Sequence, residues 1–244
     1  IQNSNFFLLR IVLLYERMCF MKENERFTFK QFVQMENFWK RMAIMLPSVF
    51  FMGFSLSFLI EVGWGTDPAS YFLLHFSNFI NLSFGNTQVI VYTCMFVLVF
   101  FLGPKYIGFG TLSNMIFIGY ISDFFRFIWN KIGYSQLIDS NFTIQIISFI
   151  FALIVFVISA AFYINSKTGV APYDALPQII SDALPKLPFA PLRIAFDLSF
   201  VFLGFLFGIT SPEGLQGSVI GAVALSLLIG PAISLVGKWI KKLI

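Results

Sequence analysis

The sequence predicts an all-α fold: a polytopic membrane protein with about six transmembrane helices and two short helices, arranged as two internal repeats. Three observations point there. Of the 244 residues, 58% are hydrophobic and only 11% are charged, against roughly 25% charged in a soluble domain. Uncharged runs occupy residues 42–60, 68–104, 106–122, 140–166 and 214–237, and a helix of about 20 such residues crosses a bilayer core. The same order of glycine and proline landmarks occurs twice along the chain. The lipid bilayer is therefore the first partner implied.

The N-terminal segment, residues 1–41, precedes the membrane halves. Its first part, IQNSNFFLLRIVLLYERMCF, lacks a leading Met and a small-residue cleavage site and does not read as a signal peptide. Glu16, Arg17 and Met18 read as the translation of a purine-rich ribosome-binding sequence, which predicts a natural start at Met21. The alternative is an ordinary amphipathic segment; an intact mass that includes residues 1–20 would refute the later start. Residues 21–41 mix Lys, Arg and Glu with Phe and Trp, the make-up of a helix at the cytoplasmic interface.

The first half, residues 42–139, opens with a span at about 42–61. The uncharged run 68–104 would be about 55 Å long as one helix, so it must break. Gly85 and Asn86 in SFGN are the expected stop and cap, leaving a short helix at 68–84 and a span at 87–102. A third span follows at about 107–129. The second half, residues 140–244, repeats the order: a span at 142–165, a short helix at 172–184, and spans at 190–209 and 217–240.

The landmarks agree in register. Gly65 and Gly169 lie 104 residues apart, as do Pro68 and Pro172, so GTDPAS aligns on GVAPYD. Gly110 and Gly119 match Gly221 and Gly230 at an offset of 111, the difference being the loop ITSPEGL. Duplicated halves with a site where broken helices meet recur among secondary transporters. Two topologies fit. Re-entrant short helices give six crossings and inverted halves, whereas fully crossing ones give eight crossings and parallel halves. The distribution of Lys and Arg between the two sides is equal in both. The shortness of the two helices and Pro177 within the second favour the re-entrant form.

Thr66, Asp67 and Pro68 form a helix start, with a capping side chain before a proline whose missing N–H costs nothing there. Pro172 takes the same place in the second half, and Asp174 lies in the first turn, where a carboxylate meets the positive end of the helix dipole. Capping is the plain account. Yet a helix that begins at membrane depth needs protein or water around its free backbone, and two facing starts would offer N–H groups to an anionic or carboxylate-bearing solute. The substrate-binding candidates are Thr66, Asp67, Ser70, Tyr173 and Asp174, with His75 and Asn114 as further polar groups inside apolar runs. His75, the lone histidine, suits a proton-coupled step or a hydrogen bond between helices, and Asn78 and Asn114 suit such contacts. Arg193 and Asp197, four apart, and Asp123 and Arg126, three apart, read as structural ion pairs. Glu61 ends the first span and faces either headgroups or a central cavity.

Other chemistries find no support. GFGT at 108–111 lacks the lysine and the strand of a phosphate loop. No nucleophile elbow, histidine pair or adjacent carboxylates occur, so the expectation is no catalysis, no metal and no cofactor. Cys19 and Cys94 are too few for a disulfide framework. The net charge of +4 comes from residues flanking apolar runs and does not indicate nucleic acid.

The stretches GWGTDPASYF, GFGTLSNMIFIGYISDFF and TGVAPYDAL resemble those of the YczE/YitT-type group of small bacterial membrane proteins, over about residues 42–240. The pattern of proline, aromatic and Asp falls on Pro172, Tyr173 and Asp174; the first half departs from it with Ala69 and Ser70. The resemblance implies a multi-span protein of the bacterial inner membrane and a transporter, with no settled substrate. Composition and resemblance together lead to a small secondary transporter with cytoplasmic N- and C-termini, taking an unidentified small solute between the two Gly-Pro helix starts. The alternatives are a ligand-binding subunit that depends on partner subunits with an ATPase, and a structural or regulatory membrane protein. Gly204, Gly208 and Gly221 suit close packing within one chain or in a homo-oligomer.

Overall fold

The computed structural model describes residues 37–241, so the readings on the natural start and on residues 21–36 lie outside the described residues. Among these are nine α-helices and no strand. They are α1 (Phe38–Val62), α2 (Pro68–Ile80), α3 (Phe84–Leu102), α4 (Phe109–Lys131), α5 (Tyr134–Ser140), α6 (Phe142–Asn165), α7 (Pro172–Ala183), α8 (Phe189–Thr210) and α9 (Val219–Ile240).

Helices α1, α3, α6, α8 and α9 are long and apolar enough to cross a membrane. Helix α4, made more polar by Asn114, Asp123, Arg126 and Lys131, lies beside α1 from end to end: Phe38 meets the Phe109 ring edge-on and Glu61 pairs with Arg126. Phe142, Ile147, Phe202 and Leu228 turn more than half of their surface outward. Apolar surface of that extent is foreign to a soluble monomer, and the bilayer covers it. The chain is a multi-span membrane protein.

Local chemistry sets the helix ends. Pro68 opens α2, and the Ser70 N–H donates to Asp67 Oδ2 at 3.1 Å, a side-chain cap. Asn81, at φ 54, closes α2 in the left-handed conformation. Ser83 then caps α3, its Oγ accepting from the Asn86 N–H at 3.2 Å. The break thus falls at residues 81–83, ahead of the expected Gly85 and Asn86. Gly85 lies inside α3, where a Cβ would come within 2.7 Å of Tyr120, so it serves the close contact with α4. Helix α5 was not expected; it fills the connection between the halves, with the Tyr134 hydroxyl 2.6 Å from Ser148 Oγ on α6.

The path of the short helices follows from where their flanks attach. Glu61, at the end of α1, pairs with Arg126, and the Gly85 N–H at the start of α3 donates to Asp123 Oδ2 at 2.8 Å. Asp123 and Arg126 occupy one turn of α4, so the chain between them, α2 included, leaves and returns on one side. The second half does likewise on the other side. The Gly110 N–H donates to the Thr168 carbonyl just before α7, while Asp182 at its far end meets Lys105 and Tyr106. Each short helix thus leaves and returns at one end of the bundle, the two at opposite ends.

The two halves run in opposite directions. Arg41 reaches the Ser166 carbonyl and Trp64 packs on Phe142, so α6 descends where α1 rises. Each short helix leans on the other half, Tyr71 on Gly204 of α8 and Ile179 on Gly103 at the end of α3. Two crossings lock this exchange. Gly65 (φ +123) abuts the Gly221 backbone, and Gly169 (φ +104) abuts that of Gly108. At these points a Cβ on Gly221 would overlap the Trp64 carbonyl, and one on Gly108 the Thr168 carbonyl. Glycine is required there for lack of room as well as for positive φ.

Candidate functional site

The short helices α2 and α7 begin beside a group of charged and aromatic side chains on α8 and α7. On α8, Arg193 and Asp197 share one face, four residues apart. Arg193 Nε lies 3.0 Å from Asp197 Oδ2, and its Nη1 lies 2.8 Å from Asp174 Oδ1 in the first turn of α7. The Tyr173 hydroxyl donates to Asp197 Oδ1 at 2.7 Å, and the guanidinium lies 5.2 Å from the centre of the Tyr173 ring. Asp197 is 5% exposed, so two donors from two elements offset its desolvation.

The start of α2 brings Asp67 towards the same stretch of α8, where Phe72 and Tyr173 both pack on Phe200. Its Oδ2 is taken by the Ser70 N–H, while Oδ1 is buried without a partner. Tyr92 on α3 and Tyr163 on α6 are buried. The Tyr163 hydroxyl is buried and unpartnered too. Two carboxylates, Asp174 and Asp197, therefore face one guanidinium. The two halves contribute at different offsets: Asp67 precedes its proline, whereas Asp174 follows Pro172 by two.

Of the candidates, Tyr173 and Asp174 join Arg193 and Asp197, while Thr66, Asp67 and Ser70 stand together at the start of α2. Thr66 is buried and its hydroxyl donates to the Asp67 carbonyl at 3.4 Å. Arg193 and Asp197 pair as expected, but Arg193 also grips Asp174, so the pair belongs to the site. His75 lies two turns further along α2, roughly 12 Å on. Its Nδ1 is 2.8 Å from the Tyr71 carbonyl and must donate, leaving Nε2 to accept from the Gln216 N–H at 3.1 Å. The ring is held neutral as a strut for the 211–218 loop. The Asn114 carbonyl accepts from Gln88 Nε2 at 2.9 Å, tying α4 to α3. Asp123 and Arg126 lie 3.9 Å apart, with Arg126 nearer to Glu61 at 3.3 Å. Glu61 therefore belongs to this peripheral pair. Tyr92 and Tyr163 escaped sequence reasoning, because nothing marks them among so many aromatics.

The arrangement covers the stretch over which the chain matches a known family, residues 39–238. The chain belongs to the DUF6198 family, a family of unknown function. No curated protein and no solved structure matches it. Family membership thus takes in both short helices and all the charged residues of the cluster.

Proposed function

We propose that this member of DUF6198 is a small secondary transporter that binds its solute between the starts of α2 and α7. The observation that carries the reading is the meeting of two short helices, entering from opposite sides, at α8, where Arg193 joins Asp174 to the buried Asp197. Helix starts at membrane depth are tolerated where they line a cavity or are buried in protein, and paired broken helices are a recurrent transporter device. The order long, short, long, long in each half, the reversed direction and the two glycine crossings support descent of the halves from one duplicated unit. Its motifs relate it to the YczE/YitT-type group.

The orientation follows from charge. The start of α1 and the end of α9 lie on one side, near the end of α6, with Arg41 on Ser166 and Asn165 on Gly237. Lys40, Arg41, Lys105, Lys167, Lys186, Lys238 and Lys241 cluster on that side, against Arg126 and Lys131 on the other. The positive side is cytoplasmic, so both termini face the cytoplasm of a bacterial inner membrane. The role assigned is transport, with no catalytic step.

Thermal stability of the purified protein in detergent against a metabolite library, beside Asp174→Asn, tests the reading. A ligand that binds the native state raises its stability. A solute that stabilises the wild type and stabilises the variant less supports it. Stabilisation by nothing in the library, with the variant simply less stable, would leave the cluster as an internal brace and refute the solute site.

A further inference from the structure

The connection between α8 and α9, residues 211–218, lies at the end of the bundle that holds Glu61 and Arg126, the outer side in the orientation given above. It forms one wall of a small cleft. Gly63, Gly65, Thr66 and Tyr71 line the cleft from the α1–α2 connection and α2, and Gln216 and Gly217 line it from the loop. Tyr71 carries a buried hydroxyl without a partner, and Thr66 stands next to Asp67, the cap of α2. Two bonds hold the loop down: the Ser218 N–H donates to the Gly63 carbonyl at 2.9 Å, and the Gln216 N–H donates to His75 Nε2 at 3.1 Å. Pro212, Glu213, Leu215 and Gly217 are exposed, whereas His75 beneath them is wholly buried. The loop is thus fastened to a titratable ring that it helps to bury.

The ring can hold the loop in one protonation state only. His75 Nδ1 lies 2.8 Å from the Tyr71 carbonyl, an acceptor, and so carries the hydrogen of the neutral ring. A second proton would go to Nε2 and face the Gln216 N–H, donor against donor, and the bond would be lost. The groups around the ring among the described residues supply no free counter-charge. From α8 Gly208 packs on it, and the Tyr71 ring lies 4.3 Å away on α2 itself. Helix α9 meets Tyr71 with the apolar Ala222. Glu61 at the end of α1 is paired with Arg126, and Glu213 in the loop is bound by Gln216 Nε2 at 2.6 Å. A buried charge left in that state is relieved when the loop lifts and water reaches the ring. We propose that residues 211–218 are a lid on the cleft, latched by neutral His75 and released by acid on the outer side. The lid stands on this geometry; its use, to admit a solute from outside towards the start of α2, rests on the transporter reading above.

The test is hydrogen exchange of the 211–218 segment in the full chain in detergent, read by mass spectrometry. Rates are corrected for the intrinsic pH dependence of exchange with the same segment in the unfolded chain. Between about pH 8 and about pH 5, across the range in which histidine takes up its proton, the wild-type loop should lose protection at least about tenfold, while α6 keeps its own. His75→Gln offers an amide oxygen to the Gln216 N–H but does not titrate, so it should make the protection of the loop independent of pH. Its melting temperature shows whether the chain is folded. Glu213→Gln should keep the wild-type pH dependence. Wild-type protection that ignores pH, the same acid loss in His75→Gln, or an acid loss abolished by Glu213→Gln would each overturn the latch. The library melts judge the transporter reading separately. A solute that stabilises a chain whose loop ignores pH removes the lid and leaves that reading, whereas a loop that opens in acid on a chain no solute stabilises leaves the lid and removes the reading.

Discussion

Replacing Arg193 by Met isolates the energetic role of the cluster. Met keeps the length and apolar packing of the arginine stem but removes the guanidinium from Asp174 at 2.8 Å and Asp197 at 3.0 Å. The side chain of Asp174 is 36% exposed and regains water, so its share of the loss is small. Asp197, 6% exposed in its side chain, keeps only the Tyr173 hydroxyl and is left as a buried charge without a counter-charge. Breaking a buried pair from one side costs about 3–5 kcal/mol; the surviving Tyr173 bond places this case near about 3 kcal/mol. For a chain of this size that is a fall of roughly 6–12 °C in melting temperature, read by size-exclusion of heated detergent samples. Asp197→Asn in the same chain removes the stranded charge while keeping an acceptor for Tyr173, and should restore about half of the loss. A single variant as stable as the wild type, or a double variant less stable than Arg193→Met alone, would refute the reasoning.

Three more outcomes follow from the same geometry. Gly108→Ala and Gly221→Ala drive a Cβ into the carbonyls of Thr168 and Trp64 and should each cost about 1–3 kcal/mol; Gly230→Ala, with nothing within 4 Å of the added Cβ, should be neutral or stabilising in thermal melts. Burial raises the Asp182 pKa, but the Tyr106 hydroxyl at 2.5 Å and Lys105 at 3.0 Å outweigh it, so the group titrates below its ordinary value. Its small contribution to stability is present above the ordinary carboxylate pKa and lost as pH falls through the lowered one; the difference between wild type and Asp182→Asn should shrink as melts are taken to progressively lower pH. In a background free of native cysteines, Asn86→Cys should react with an impermeant maleimide from outside intact cells and Lys186→Cys only after permeabilisation; the reverse pattern, or an unreactive Asn86→Cys, would refute the re-entrant topology.

Much of the architecture was legible because each signal had a local cause. Helix α6 matches the predicted 142–165 from end to end, since an uninterrupted apolar run begins at an Asn cap, Asn141, and stops at polar residues. Gly65, Gly169, Pro68 and Pro172 stood out because positive φ and the first helical position each narrow the choice of residue. What was not legible depends on distant partners. Gly85 looked like a helix stop, but its use is to admit Tyr120 and Asp123 from α4. Arg193 paired visibly with Asp197 one turn on, while its bond to Asp174 crosses between elements and leaves no spacing to read. The partner that fixes the role of His75, the backbone of Gln216, lies 141 residues away. Helix α5, at seven residues, was too short to carry a periodic signal.

The most direct test of the account is two-sided accessibility of the cluster. Ser70, 7% exposed, would be replaced by Cys in a chain without Cys19 and Cys94 and probed with an impermeant thiol reagent in right-side-out and inverted vesicles. A transporter whose re-entrant helices meet at a solute site predicts slow labelling from each side in turn. Labelling from one side only, or from neither until the protein is unfolded, would contradict it.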